Sequence, residues 1–207
     1  MTQRKIEETV PLYRGIPEQM ESPVYDQPSF ITADTKATEI GTAFHQFMQH
    51  LPVTTGHTMV TLTTLKDDLV NRNIIRAELA DQVNLADIHR FTQSELYQKM
   101  LTAQSMHKEL PFTLMFDAST VEKEKEKKAK ALLQGVVDLL VEFEDEVWIV
   151  DYKTDQVGNF AAEQHLLKRR YDIQMKYYLQ AMRDIFPDKR VVAKVYFMRV
   201  SEIVEYE

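Results

Sequence analysis

Residues 134–155 contain two apolar runs that carry charged side chains suited to catalysis. Val136–Phe143 and Val147–Val150 are rich in β-branched and aromatic residues, and the acidic break between them is short enough for a hairpin turn. Asp138 lies inside the first run, and Asp151 directly follows the second. Burying a carboxylate in such a strand costs several kcal/mol unless a cation or strong hydrogen-bond donors meet it. The sequence therefore indicates that these acids have a partner.

A hairpin would bring Asp138 and Asp151 side by side. Carboxylates that close raise each other's pKa unless a divalent metal lies between them. Strand alternation places Lys153 on the same face as Asp151, because the two residues are two positions apart. Two carboxylates and a lysine on one face suit metal-assisted hydrolysis of phosphodiesters, in which the lysine stabilises charge on phosphate oxygens.

Four short motifs, taken in order, resemble the nuclease domain of the RecB family within the PD-(D/E)XK superfamily. They are most similar to the C-terminal domain of AddA-type proteins, also called RexA, and the similarity runs from about Thr38 to the C-terminus. One tetrapeptide would be weak support, whereas four in order are specific. The motifs are Gly41–Gln49 (GTAFHQFMQ), Gly135–Asp138 (GVVD), Asp151–Thr154 (DYKT) and Gln174–Tyr178 (QMKYY).

The resemblance implies roles for five residues. Asp138, Asp151 and Lys153 correspond to the D…(D/E)XK core. His45 falls in a motif that carries a metal-associated histidine in the family, and Glu109 is a candidate third acidic ligand. From the residues alone, His45 is interpreted as a hydrogen-bonded residue at the edge of a core, and an exposed glutamate at a strand end stays open for Glu109. Oxygen ligands favour Mg²⁺, for which Mn²⁺ can substitute.

The segment after these strands is basic. Gln164–Val200 contains nine Lys/Arg and three Asp/Glu and so carries a net charge of +6, while the whole chain carries -7. Lys168, Arg169 and Arg170 are candidates for contact with a DNA backbone, and an ordinary solvated helix surface remains an alternative. Gln174 and Tyr178 are four residues apart and share a helical face. The resemblance implies that this pair lies beside the active site or contacts DNA.

Composition bounds the class of protein. The 207 residues include no cysteine, which excludes a disulfide framework, a zinc–thiolate site and a cysteine-ligated iron–sulfur cluster. No apolar run approaches transmembrane length and no signal peptide is evident, so we expect a cytoplasmic protein without membrane contact. No phosphate-binding loop occurs either. If the resemblance holds, the helicase portion is absent from this chain.

We expect an α/β fold with a restriction-endonuclease-like core, in which helices flank both faces of a central mixed sheet. Residues 1–37, which include four prolines, should form an extended arm, and residues 38–207 the nuclease domain. The expected elements are a helix over Thr38–Leu51, a helical insertion over Leu62–Met106, a strand over Glu109–Phe116, a solvated hairpin tip over Val121–Lys130, a helix over Leu166–Ile185, and a closing strand over Val191–Val200 followed by an acidic C-terminal tail.

The resemblance implies a metal-dependent exonuclease that hydrolyses single-stranded DNA during double-strand-break repair. It also implies two partners, the helicase portion of the same polypeptide and an AddB- or RexB-like subunit. A catalytically inactive nucleic-acid-binding module or a protein-interaction module is the alternative. Retention of Asp138, Asp151 and Lys153 speaks against the inactive module, and the ordered motifs speak against a purely structural one.

Overall fold

The computed structural model of the chain describes residues 35–117 and 130–207. Within these ranges, five helices are followed by three strands, a long helix and two further strands. In chain order the elements are α1 (Thr35–His50), α2 (Met59–Asn71), α3 (Ala77–Ala80), α4 (Leu85–Thr92), α5 (Glu95–Met100), β1 (Ser105–Asp117), β2 (Lys130–Glu142), β3 (Glu146–Lys153), α6 (Phe160–Ile185), β4 (Arg190–Phe197) and β5 (Glu202–Tyr206).

The described strands form one mixed sheet in the order β1-β2-β3-β4-β5. Only the β3–β4 pair is parallel, and the other three pairs are antiparallel. Parallel neighbours need a crossover connection, and α6 provides it between β3 and β4. The side chain of Asn159 caps α6 by accepting a hydrogen bond from the backbone N–H of Ala162.

Two hydrophobic cores lie on opposite faces of the sheet. The first core joins α1–α5 to the sheet through Phe47, Ile88 and Trp148, among others. The second core joins α6 to the other face through residues such as Met175 and Ile149. Alternate β3 residues enter alternate cores, which explains why this strand is apolar along most of its length. The predicted α/β fold with helices on both faces is confirmed.

Several element boundaries differ from expectation. β1 begins at Ser105, so Glu109 lies within a strand rather than at its start, and Pro111 is an interior residue of β1, which is an edge strand of the sheet. The expected helical insertion is four separate helices that end at Met100. The acidic tail forms β5, because Ile203 and Val204 pack on the two cores and pair with β4.

Two predicted segments lie mainly outside the described residues. The predicted arm at residues 1–37 is described only from Thr35, where α1 begins, and the predicted hairpin tip at Val121–Lys130 is described only at Lys130, where β2 begins. Within the described residues, no helix is both long enough and apolar enough to cross a membrane.

Candidate active site

The regular alternation of β2 side chains between the two faces of the sheet breaks at Asp138. Leu139 and Val141 pack in the first core and Leu140 in the second, as strand alternation requires. Continued alternation would place Val137 in the first core, yet Val137 packs in the second. The alternation is therefore interrupted at Asp138, and the strand can direct this carboxylate independently of its apolar neighbours.

β1 makes the same change at Glu109, directly opposite. Met106 packs on the first core, whereas Leu110 packs on the second. Glu109 has a φ of 51°, in the left-handed region, and the regular β1–β2 register is interrupted at the Glu109–Asp138 position. A non-glycine residue in this conformation costs about 1–3 kcal/mol and persists only where its surroundings hold it. Glu109 and Asp138 therefore lie opposite each other at the one irregular position of the β1–β2 pair within the described register.

His45, Glu109 and Asp138 converge at this position. Each offers one ligand atom, and these atoms lie within 4.8 Å of one another. His45 Nδ1 lies 3.3 Å from Asp138 Oδ2, which also accepts a hydrogen bond from the backbone N–H of Tyr152 at 3.0 Å. Burial lowers the pKa of His45, but the hydrogen bond and charge of Asp138 outweigh it, so the net shift is upward. Burial, and then the charge of Asp138, raises the pKa of Glu109.

Asp151 and Lys153 form a buried ion pair on the second-core side of β3. Asp151 is only 2% exposed, and Lys153 Nζ lies 2.9 Å from its Oδ2. Burial raises the pKa of Asp151 to about 6; the charge of Lys153 opposes this shift and that of Asp138 adds to it. Burial lowers the pKa of Lys153, yet Asp151 outweighs burial and the net shift is upward. Lys153 therefore carries its charge at neutral pH.

Gln174 and Tyr178 of α6 support the site from the same side. The amide of Gln174 donates hydrogen bonds to Asp151 Oδ1 at 3.2 Å and to the Tyr178 hydroxyl at 2.9 Å. Tyr178 in turn donates to the carbonyl oxygen of Val136 at 2.8 Å. These contacts connect β3, α6 and β2 around the two aspartates. The structure thus brings both predicted residues to the site.

The predicted DNA-contacting residues lie near the start of α6. Arg170 donates to Asp155 Oδ1 at 2.7 Å, and Lys168 Nζ lies 5.3 Å from the ring centroid of Tyr206. The side chains of Arg169 and Arg170 are exposed. Intramolecular partners therefore already engage two of the three predicted cations.

Two residues at the site were missed by sequence reasoning. Tyr171 places its ring centroid 4.9 Å from Lys153 Nζ. Lys108 donates to the carbonyl oxygens of Met48 at 2.9 Å and Gln49 at 3.2 Å, at the end of the helix that carries His45. Burial lowers the pKa of Lys108 to about 8. Only their positions in the sequence could have indicated these two residues. Lys108 directly precedes Glu109, and Tyr171 lies three residues before Gln174, on the same face of the helix.

The donor set fits a divalent cation. Two carboxyl groups and one imidazole converge, and the nearby Asp151 is electrostatically coupled to Asp138, so a bound cation would offset their charge. Oxygen-rich sites favour Mg²⁺ or Mn²⁺. Asp151 Oδ2 is buried and lies 2.9 Å from the ammonium of Lys153. An ionised carboxylate has about four lone-pair positions, so Asp151 can face this ammonium and still offer a lone pair to a metal.

The geometry agrees with comparison to known proteins. The family model of the PD-(D/E)XK nuclease superfamily matches residues 21–205, which include every element described above except Tyr206, the last residue of β5. The chain belongs to this superfamily. The resemblance seen in the four sequence motifs is thereby confirmed.

Curated relatives refine the similarity. An ATP-dependent helicase/nuclease subunit from Listeria welshimeri is 31% identical over 186 residues, which cover 87% of this chain and 15% of the relative. The protein of the same name from Bacillus licheniformis is 32% identical over 169 residues, covering 78% of this chain and 14% of the relative. This superfamily member therefore spans only a small part of the length of the relatives it matches. A match to a solved structure described as "Crystal structure of SSO0001" covers 85% of this chain and 77% of that structure's chain, with 11% identity and a TM-score of 0.31.

Proposed function

We propose that this chain is a metal-dependent exonuclease domain that hydrolyses phosphodiester bonds of single-stranded DNA. The observation that carries the proposal is the cluster of His45, Glu109 and Asp138 beside the Asp151–Lys153 ion pair, to which Asp138 is electrostatically coupled, in a member of a nuclease superfamily. Residues 38–207 would form this domain and residues 1–37 an arm that precedes it.

Asp138 and Asp151 would hold one or two Mg²⁺ ions, with His45 and Glu109 as further ligands, and Mn²⁺ would substitute. A metal bound there supplies Lewis-acid activation of water and of the phosphate. The support for this ligand set is the three-residue cluster on one side and the electrostatic coupling of Asp138 to Asp151 on the other. A metal would also offset the energetic cost of burying Asp151.

Lys153 would stabilise negative charge on the phosphate oxygens during cleavage. Its ammonium is held beside Asp151, and 19% of its side chain is exposed, so a phosphate can reach it. Preorganised donors of this kind stabilise charge that develops in the transition state. Gln174 and Tyr178 would keep Asp151 in place, because the amide of Gln174 is bonded to both the carboxylate and the phenol.

Lys168, Arg169 and Arg170 would contact the backbone of the incoming strand. Binding through so few cations is weak and depends steeply on salt. The names of the relatives include a helicase, and this chain covers only 15% of the first of them. We therefore propose that a helicase portion of the same polypeptide and an AddB- or RexB-like subunit deliver single strands to this site, in the cytoplasm, during double-strand-break repair. Tethering would supply the local DNA concentration that a free domain lacks.

A cleavage assay tests the proposal. End-labelled linear single-stranded DNA and circular single-stranded DNA are incubated with the protein in Mg²⁺, Mn²⁺ or EDTA. We expect the linear substrate to be shortened from an end in either metal, the circle to survive, and EDTA to stop the reaction. K153M serves as the control for a contaminating nuclease. Cleavage in EDTA, or equal cleavage by K153M, would contradict the proposal, and binding without cleavage would indicate an inactive nucleic-acid-binding module.

A further inference from the structure

We infer that Tyr171 is a positioning residue that holds Lys153 for cleavage, an inference that rests on the proposed nuclease function. The Nζ atom of Lys153 lies 4.9 Å from the centroid of the Tyr171 ring, within the range of a cation–π contact. Tyr171 lies on α6 and Lys153 is the last residue of β3, so the contact joins two separate elements at the site.

The Tyr171 ring is itself fixed by two further residues. Its hydroxyl donates to Asp155 Oδ2 at 2.8 Å, and the guanidinium of Arg170 donates to the other oxygen of the same carboxylate at 2.7 Å. Asp155 lies two residues after Lys153, the last residue of β3. Arg170, Asp155 and Tyr171 therefore form a connected group whose end is the aromatic face that Lys153 contacts.

The contact matters because Asp151 alone is a poor anchor for Lys153. Asp151 is also a proposed metal ligand, and a bound divalent cation would draw on the charge that holds the ammonium and repel the ammonium itself. The face of an aromatic ring attracts a cation through its quadrupole and remains available whether or not metal is bound. Tyr171 thus holds Lys153 where it can reach a phosphate after the metal has bound.

The same helical face places three supports side by side. Tyr171, Gln174 and Tyr178 are spaced by three and four residues, and they contact Lys153, Asp151 and the backbone of β2 respectively. Each catalytic group on this side of the sheet therefore has its own support from α6. In this arrangement the guanidinium of Arg170 anchors Asp155 through one nitrogen.

The test compares variants that separate the ring from the hydroxyl. Y171F keeps the ring, Y171M removes the ring at similar volume, and D155A removes the carboxylate that orients it. F143L is the matched control, because Lys99 Nζ lies 5.2 Å from the Phe143 ring centroid, a cation–π contact at the opposite end of the β2–β3 hairpin. Single-turnover cleavage of linear single-stranded DNA in Mg²⁺, calorimetric Mn²⁺ affinity and thermal melting are measured for each.

We expect Y171M to reduce the maximal cleavage rate about tenfold, as loss of a partly buried cation–π contact predicts, with substrate KM and Mn²⁺ affinity unchanged. Y171F should stay within about threefold of wild type, D155A should fall between the two, and F143L should cleave normally. The ε-methylene protons of Lys153, assigned by their loss in K153R, should be shifted upfield by the ring in wild type and Y171F but not in Y171M.

The two failures are distinguishable. A wild-type protein that does not cleave in either metal contradicts the proposed function, whereas an active wild type with Y171M equally fast overturns the role of Tyr171. Equal losses in Y171F and Y171M, or a weakened Mn²⁺ affinity in Y171M, would also overturn it, because the ring would then not be the active part. If Y171M does not fold, D155A decides: a wild-type rate and an unchanged Lys153 resonance in D155A contradict the inference.

Discussion

The candidate site has residues on both faces of the sheet, and their surroundings differ between the two faces. On the α6 side, the buried Asp151 has Lys153 against one oxygen and the Gln174 amide on the other. On the α1 side, His45, Glu109 and Asp138 are only partly buried, and two acids crowd one another. The α6 side is therefore already arranged by protein contacts. On the α1 side, the only one of the three ligand candidates that can carry a positive charge is His45, when it is protonated. A bound cation would offset the charge of the two acids there.

The two faces of the sheet would meet different requirements of the proposed catalysis. Contacts from α6 hold Asp151 and Lys153 in place, whereas the proposed affinity for a cation would come from the strained position at Glu109, which keeps the candidate ligands close despite their repulsion. Changes on the two sides should therefore fail differently. Losses on the α6 side should affect mainly the rate, apart from the shared ligand Asp151, and losses on the α1 side should affect mainly metal binding.

The largest effect is expected from the acids that connect the two sides. D138A and D151A should each reduce the cleavage rate by more than the roughly 10²–10³-fold typical of removing one hydrogen-bond donor, since each removes a proposed metal ligand. The rates are measured under single-turnover conditions in Mg²⁺. A D138A protein that cleaves within about tenfold of the wild-type rate would contradict the proposed role of Asp138 as a metal ligand in cleavage.

Replacing Lys153 should affect rate without affecting the ion. K153M is expected to slow cleavage by about 10²–10³-fold, the cost of losing one charge-stabilising donor, while Mn²⁺ affinity stays at or above that of wild type. The affinity is expected not to fall because K153M removes a cation that competes for Asp151. Calorimetry and the cleavage assay are run on the same preparation. Loss of Mn²⁺ binding in K153M would place Lys153 in the metal site rather than beside it.

Asp151 should contribute a loss of stability to the metal-free protein as pH rises. The folded pKa of Asp151 is about 6, above its ordinary 3.8, so the folded state binds this proton more tightly than the unfolded chain does. The resulting contribution to the free energy of unfolding is complete below about pH 4 and is lost as pH rises through about 6. Urea unfolding in EDTA between about pH 4 and 7 measures it. D151N should remove this part of the pH dependence of the free energy of unfolding. If that free energy changes with pH equally in wild type and D151N, Asp151 is not responsible.

The smallest effect is expected at the strained residue. E109G should raise the free energy of unfolding by about 1 kcal/mol over E109Q, because only glycine adopts the left-handed conformation without strain. E109Q is the control that removes the charge and keeps the strain. Both variants should weaken Mn²⁺ binding by about tenfold or more. An E109G protein no more stable than E109Q would show that the backbone at this position is relaxed.

Much of the α6 side could be predicted from sequence. The acids and the lysine stand out because apolar strands seldom carry charge, and Gln174 with Tyr178 share a helical face. Tyr171 was missed because an aromatic residue on an amphipathic helix is ordinarily core. Its cation–π contact depends on how far α6 reaches along β3, which no local pattern encodes.

The α1 side was harder to predict because its key feature is an interrupted alternation. The residues around Asp138 are apolar on both sides, so the sequence shows no sign that Val137 and Leu139 face different cores. Glu109 likewise looked like a strand end, since Pro111 suggested the beginning of β1. The strand β5 was missed because its two glutamates masked the three apolar residues that pack on the cores, Ile203, Val204 and Tyr206.

The most direct test of the central claim is whether both sides of the sheet contribute to one metal site. Mn²⁺ binding, followed by electron paramagnetic resonance, is compared among wild type, E109Q from the α1 side and D151N from the α6 side. We expect each substitution to reduce the amount of Mn²⁺ bound at the same site when the protein concentrations are equal. If E109Q weakens binding and D151N leaves it unchanged, the metal belongs to His45, Glu109 and Asp138 alone, and the shared centre proposed here is wrong.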